Sequence, residues 1–252
     1  MNIETYGKGE RLRIAAELSS KIDTERHLIL LPVPTTRDGV YIAGTDILLF
    51  DTLSNAGRKS LIVGYGLPKA YCDEARERGA SLLDLSEDEE FLSENAYITA
   101  IATLGYIMNS EKRAVSDMKF LIIGYGRIGS RLSEILLFFG AKVKICSRRS
   151  LTRIELGECG ADLISLDELL RSGAENIDAD IIINTAPCEL NSLFPSGRVP
   201  ERMRALELAS GKNFLKVSGV ELLPSLPERI YPTSAAKTYV LALRRCLFAG
   251  GR

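Results

Sequence analysis

The sequence predicts an α/β protein built in two lobes. Short apolar runs alternate with amphipathic stretches along its length. A polar segment, Glu111 to Asp117, follows a long apolar helical stretch near the middle. A tight glycine cluster then separates an apolar run from a second helical one. Alternation of strand and helix signals implies parallel sheets covered by helices.

The first lobe is expected over residues 1–94. His27 to Leu31 (HLILL) is an apolar run closed by Pro32, the pattern of a buried strand. Ser60 to Val63 repeats it before Gly64. Pro68 opens a helical stretch, Lys69 to Arg78, that Gly79 stops. Ser81 to Leu85 is a weaker strand. The acidic run Glu87 to Glu90 reads as a solvated helix start. Asn95 to Asn109 is mostly apolar and reads as a long buried helix linking the lobes.

The second lobe, 95–232 with that helix, carries the clearer pattern. Strands are expected at Lys119 to Ile123, Lys142 to Cys146, Asp162 to Ile164, Asp180 to Asn184 and Ala205 to Ala209. Helices are expected at Arg127 to Phe139, Leu151 to Cys159 and Asp167 to Arg171. A last helix, from Thr233, is expected to pack its 233–252 segment back on the first lobe.

Composition removes several function classes. The 252 residues hold 32 Lys+Arg against 33 Asp+Glu, a formal charge of −1. That balance argues against a partner bound by phosphate neutralisation, so no nucleic acid is expected. No apolar run approaches the ~18–20 residues of a membrane span, and the start shows no signal pattern. A cytoplasmic protein with no membrane partner is expected. Cys72, Cys146, Cys159, Cys188 and Cys246 are scattered without a CxxC, which reads as reduced thiols. The one histidine, His27, excludes multi-histidine zinc sites and leaves little room for a Ser–His–Asp mechanism. No metal site is expected, and no catalytic acid or base is assigned.

The glycine cluster is Gly124-Tyr125-Gly126-Arg127-Ile128-Gly129. The spacing GxGxxG alone is weak. Here it follows a strand, opens a helix and sits in a βαβ unit, the context of a Rossmann dinucleotide site. Gly124 permits the tight turn, Gly126 lets a pyrophosphate approach the backbone, and Gly129 lets helix and strand lie close. The free N–H groups and dipole of the helix end hold the anion. The bland alternative is a glycine turn without ligand.

An NAD enzyme usually carries an acidic residue about 20 positions on, for the ribose 2′-hydroxyl. Here Ser147, Arg148, Arg149 and Ser150 stand there. Two guanidinium groups favour a 2′-phosphate, hence NADP, with NAD as the alternative. Otherwise the pair is two solvated arginines beside a helix cap. Thr185, Ala186 and Pro187 follow the strand ending at Asn184 and border the expected crevice at the carboxyl ends of the strands. Ser210 ends the next strand in the same way. In the first lobe, Thr35, Thr36 and Arg37 follow Pro32 and are candidates to hold a carboxylate-bearing substrate. A plain surface loop is the alternative.

GYGRIGSRL, LILLPVPTT, INTAP, ELAS and the late LP…YPTSAAKT occur in one order. Together they resemble the dipicolinate synthase A-subunit family, from about His27 to Arg245. The resemblance implies an N-terminal, flavodoxin-like parallel α/β domain joined by a long helix to an NAD(P)-binding Rossmann domain. It also implies oxidation of a dihydro- or hydroxytetrahydrodipicolinate precursor to dipicolinate during spore formation. The family's flavoprotein-like B-type protein would be the partner, and homo-oligomerisation is left open. A non-catalytic, NADP-binding relative is the alternative.

Gly124, Gly126, Arg127, Gly129, Arg148, Asn184, Thr185 and Pro187 match the family's cofactor side. Leu31, Pro32 and Thr36 match its first-lobe loop. Departures fall elsewhere. Ile98-Thr99-Ala100-Ile101-Ala102 lacks the family's helix carboxylate, Gly211-Lys212-Asn213 replaces an Arg- and Gly-rich stretch, and Glu228 stands for a glycine. The chain reads as N-terminally short, with a first βα unit missing. A 2-hydroxy-acid dehydrogenase would usually need a late catalytic histidine, and His27 is too early.

Overall fold

The computed structural model describes residues 2–147, 160–209, 213–214 and 216–248. The chain divides into two compact units, Met1–Ile98 with Pro227–Arg252, and Thr99–Leu226.

In the first unit, β1 (Ile3–Thr5), β2 (His27–Leu30), β3 (Ser60–Gly64) and β4 (Ser81–Asp84) form one parallel sheet in chain order. Leu28 pairs with Leu61, and Leu61 with Ser81. Side chains alternate faces along a strand. Leu28, Leu30, Leu61 and Val63 therefore face one side, against α1 (Glu10–Ser19) and α8 (Pro232–Phe248). Ile29, Leu31 and Ile62 face the other, against α2 (Leu49–Ser54) and α3 (Lys69–Glu77).

A strand–helix pair does open the chain, which corrects the expectation of a missing first βα unit. Flavodoxin order is 2-1-3-4-5. Removing its second strand leaves 1-3-4-5, the arrangement here, with α1 on the opposite face from α2 and α3. What is absent among the described residues is the edge strand after α1. Three-residue β1 lacks the length for a strand signal.

The 22-residue α4 (Glu89–Ser110) crosses the boundary between the units. It is buried at Ala96, Ala100, Leu104 and Ile107 but exposes Tyr97 and Met108, so it is not buried all round. Its acidic start is exposed at Glu87, Glu89 and Glu90, as expected, and half-buried only at Asp88. Asp88 accepts from the Phe91 amide at 2.8 Å and from Arg245 of α8 at 2.8 and 3.0 Å, and Glu90 pairs with Arg245 at 2.9 Å.

The second unit holds β5 (Lys119–Ile123), α5 (Arg127–Phe138), β6 (Lys142–Ser147), β7 (Asp162–Ser165), α6 (Leu166–Ser172), β8 (Ile181–Asn184), β9 (Arg204–Glu207) and β10 (Val220–Leu222). Its parallel sheet runs β10-β9-β8-β5-β6-β7, the 3-2-1-4-5-6 Rossmann order. The order reverses between β5 and β8, so a ligand crevice is expected beyond their carboxyl ends. Short α7 (Leu226–Ile230) leads into α8. No helix among the described residues is long and apolar enough to cross a membrane.

Candidate dinucleotide site

The turn after β5 is set by close contacts that only glycine tolerates. Gly124 has φ +100°, and a Cβ there would stand 2.7 Å from Thr185 Oγ1 and 3.0 Å from Ala186 Cβ. A Cβ on Gly129 would collide with the Gly124 carbonyl oxygen. Above Gly126, by contrast, no atom lies within 4 Å of a built Cβ. The crowded glycines draw helix and strand together, and the open one leaves room for a ligand against the backbone. Gly126 caps the 12-residue α5 without a side-chain hydrogen bond, so N–H groups of the first turn are available to an anion.

Thr185 braces this turn from the neighbouring strand. Its hydroxyl donates to the carbonyls of Ile123 (3.0 Å) and Gly124 (3.3 Å), and its amide donates to Ile123 (2.8 Å). The resulting cavity, of about 280 Å³, has an apolar floor of Ile123, Cys146 and Leu166. Gly124, Tyr125, Gly126, Ser147, Thr185, Ala186, Pro187 and Cys188 complete it. Arg127 and Ile128 lie on the first turn of α5. Burial pushes the Cys146 thiol up to about 11, so it stays a neutral wall rather than a nucleophile.

Sequence reasoning missed the group that organises the far side. Glu207 ends β9 and is 5% exposed. It accepts from the Asn184 side-chain amide, from Asn213 Nδ2 at 3.1 Å and from the Ala209 amide at 2.8 Å. Burial raises its pKa, and these hydrogen bonds oppose the rise. Asn184 is fully buried and ties down the following turn. Its Nδ2 donates to the Ala186 carbonyl at 3.0 Å, and its Oδ1 accepts from the Ala186 amide at 3.1 Å. The carboxylate in ELAS was a visible signal, since a charged residue inside an apolar strand requires partners. The turn onto Glu207 also ends β9 there, before the expected limit at Ala209.

The remaining candidates are placed differently. Arg148, Arg149 and Ser210 lie outside the described residues, as does the helix expected over Leu151 to Cys159. Thr35 is fully buried; its hydroxyl donates to the Pro32 carbonyl and accepts from the Tyr65 amide at 2.7 Å. Thr36 donates to Asp38 at 3.1 Å and accepts from Gly39 at 2.9 Å. The Thr35 hydroxyl thus ties its loop to the Tyr65 turn, and the Thr36 hydroxyl stays within its own loop. Arg37 is exposed. His27 stands at the amino end of β2, 3.3 Å from Glu4, away from the carboxyl edge where ligands bind. No metal-binding group of His, Cys, Asp and Glu occurs among the described residues.

Residues 83–191 match the family model described as D-isomer specific 2-hydroxyacid dehydrogenase, NAD binding domain. A sequence comparison with curated proteins finds no match. Among solved structures, the A-type subunit of dipicolinate synthase from Bacillus halodurans aligns with TM-score 0.73 and 19% identity, covering 98% of this chain and 97% of that one. Its counterpart in dipicolinate synthase from Bacillus subtilis gives 0.71 and 20%, covering 99% and 96%. The NAD-complexed D-isomer specific 2-hydroxyacid dehydrogenase from Lactobacillus delbrueckii ssp. bulgaricus gives 0.51 and 14%, covering 100% and 98%. The chain thus has the fold of these dipicolinate synthase subunits and resembles the NAD-binding dehydrogenases in its second unit.

Proposed function

We propose that the chain is the NADP-linked oxidoreductase component that converts a small dicarboxylate of the dihydro- or hydroxytetrahydrodipicolinate class to dipicolinate. The observation that carries this reading is the Gly124–Gly129 turn, closed at Gly129 and open above Gly126. A pyrophosphate fits against that open backbone and the first turn of α5. Bound there, a nicotinamide dinucleotide would supply the hydride acceptor. Thr185, Ala186 and Pro187 would border its nicotinamide end, and Ser147, Arg148 and Arg149 its adenosine ribose.

The chain's own contribution is position. Glu207 holds Asn184, Asn184 holds the Ala186 turn, and Thr185 fixes that turn to β5. Orientation of this kind lowers a barrier without a dedicated acid or base. A flavoprotein-like partner protein, a role in spore formation and a cytoplasmic location belong to the same proposal. Thr35, Thr36, Arg37 and Ser210 stay in it as candidate substrate contacts.

A second reading, a dinucleotide-binding relative that turns nothing over, is favoured by two features. The hydroxyls of Thr35 and Thr36 are engaged by the protein's own loops, and 98–102 of α4 carries no carboxylate.

Calorimetric titration with NADPH and NADH, repeated on Arg148→Ala, tests the cofactor assignment. At least tenfold tighter NADPH binding, with that gap of about 1.4 kcal/mol lost in the variant, is expected. Binding of neither dinucleotide would overturn the oxidoreductase reading. Turnover with the flavoprotein-like partner present then separates the enzyme from the inactive relative.

A further inference from the structure

The first unit carries an unsatisfied cation where its sheet is most suited to bind. Arg11, in the first turn of the ten-residue α1, is 4% exposed. Its Nε and Nη1 are buried without a hydrogen-bond partner. Burying a charge without a partner is costly, and a fold retains such a group only when something offsets it. The guanidinium lines a narrow cleft with Lys8, Pro32, Val33, Glu228 and Tyr239, which has no room for a water molecule with Glu228 in place.

The location is informative. Lys8 lies in the turn between β1 and α1, and Pro32 and Val33 follow β2, so the cavity opens at the carboxyl edge of the β1–β2 pair. The connecting helix α1 lies on one face of the sheet, and α2 and α3 lie on the other. The chain therefore leaves β1 and β2 toward opposite faces of the sheet, which opens a crevice between their carboxyl ends. Gly9 caps α1 with no side-chain hydrogen bond, and the first-turn acid Glu10 is engaged by Arg13.

A carboxylate already stands there. A Cβ on Gly9 would overlap Glu228 Oε1. Glu228 makes no hydrogen bond among the described residues and forms no ion pair with Arg11 within 4.0 Å; its charge acts on Arg11 only at longer range. It occupies the position of an oxyanion without the bonds of a bound one.

We propose that Arg11, Lys8 and the first turn of α1 form a binding site for one oxyanion group, carboxylate or phosphate, of a small molecule, and that Glu228 is its displaceable internal occupant. This site lies in the first unit and does not depend on the oxidoreductase reading.

The test is amide NMR of the full-length chain, titrated separately with inorganic phosphate and with malonate. The amides of Gly9, Glu10 and Arg11 report this site apart from any binding at α5. Saturable shifts there with either probe are expected, at least tenfold tighter in Glu228→Gln, which removes the competing charge. Phosphate alone, or malonate alone, identifies the ligand chemistry. The response is expected to vanish in Arg11→Met and to weaken at least threefold in Lys8→Ala. Arg11→Met should fold, because it replaces an unpartnered buried charge by an apolar chain. Should it not, Lys8→Ala in the Glu228→Gln background carries the test. No movement of these amides in Glu228→Gln, or movement unaffected by Lys8→Ala and Arg11→Met, would overturn the proposal.

Discussion

The side-chain amide of Asn184 donates to both carboxylate oxygens of Glu207, at 3.0 Å each. Two adjacent strands, β8 and β9, are thereby joined at their carboxyl ends by buried side chains as well as by the backbone ladder. The pair also fixes the turn that borders the candidate cofactor cavity. A buried network of this kind is rigid when fully satisfied and costly when broken.

Glu207→Ala would leave the Asn184 and Asn213 amides and the Ala209 N–H short of an acceptor. A loss of about 3 kcal/mol in unfolding free energy is expected. Denaturant titration measures it, and a loss under about 1 kcal/mol would show that the network carries little stability.

Burial holds the Glu207 carboxyl above its ordinary value of 4.5. The folded state therefore keeps a proton that the unfolded chain has released. Glu207's share of stability is full below about 4.5 and declines as pH rises through the window up to the raised folded value. Melting curves of wild type and Glu207→Gln should diverge across that window, shifting in favour of the variant as pH increases. A difference that stays constant with pH would contradict the shift.

Gly126→Ala and Gly129→Ala separate the two duties of the glycine turn. The first meets open space and should leave the melting temperature unchanged while weakening dinucleotide binding at least tenfold. The second forces a methyl group onto the Gly124 carbonyl and should cost about 2 kcal/mol of stability as well. Equal effects of the two variants on folding would argue against the close approach.

In the first unit, Tyr239 is fully buried. Its hydroxyl meets the Leu31 amide at 3.2 Å and the carbonyls of Leu31 and Val63 at 3.1 and 2.9 Å. Helix α8 is thus bonded to the carboxyl ends of β2 and β3. Tyr239→Phe should cost about 1–2 kcal/mol, read by chemical unfolding, with the packing left intact.

Asp88 serves both as a helix cap for α4 and as the partner of Arg245. Asp88→Ala should cost about 2 kcal/mol, roughly half of it from the cap. Arg245→Met removes only the ion pair and should cost about 1 kcal/mol or less. Comparable losses in both variants would place the stability in the pair instead.

Strands β2, β3, β5 and β8 were legible because each is largely an apolar run, as a strand buried on both faces must be, and β6 because Val143 and Ile145 alternate with Lys142 and Lys144. The glycine turn was legible because its spacing encodes a steric requirement that sequence alone states. β1 and β10 were not, since three residues are too few to show a period. The hydrogen-bond partners of Thr35 and Thr36 were not legible for a different reason. A hydroxyl in a loop after a strand suits a ligand or a backbone carbonyl equally well, and only the approach of the Tyr65 loop decides which.

By itself, then, the sequence determined the class and the glycine turn, because strand periodicity and glycine spacing are local properties of the chain. The tertiary structure decided what depends on residues distant in sequence. It set the strand order of the first sheet and the buried triad of Asn184, Glu207 and Asn213. It also put Glu228 beside Gly9, 219 residues away along the chain. Those contacts follow from how helices pack across sheets, which no local pattern records.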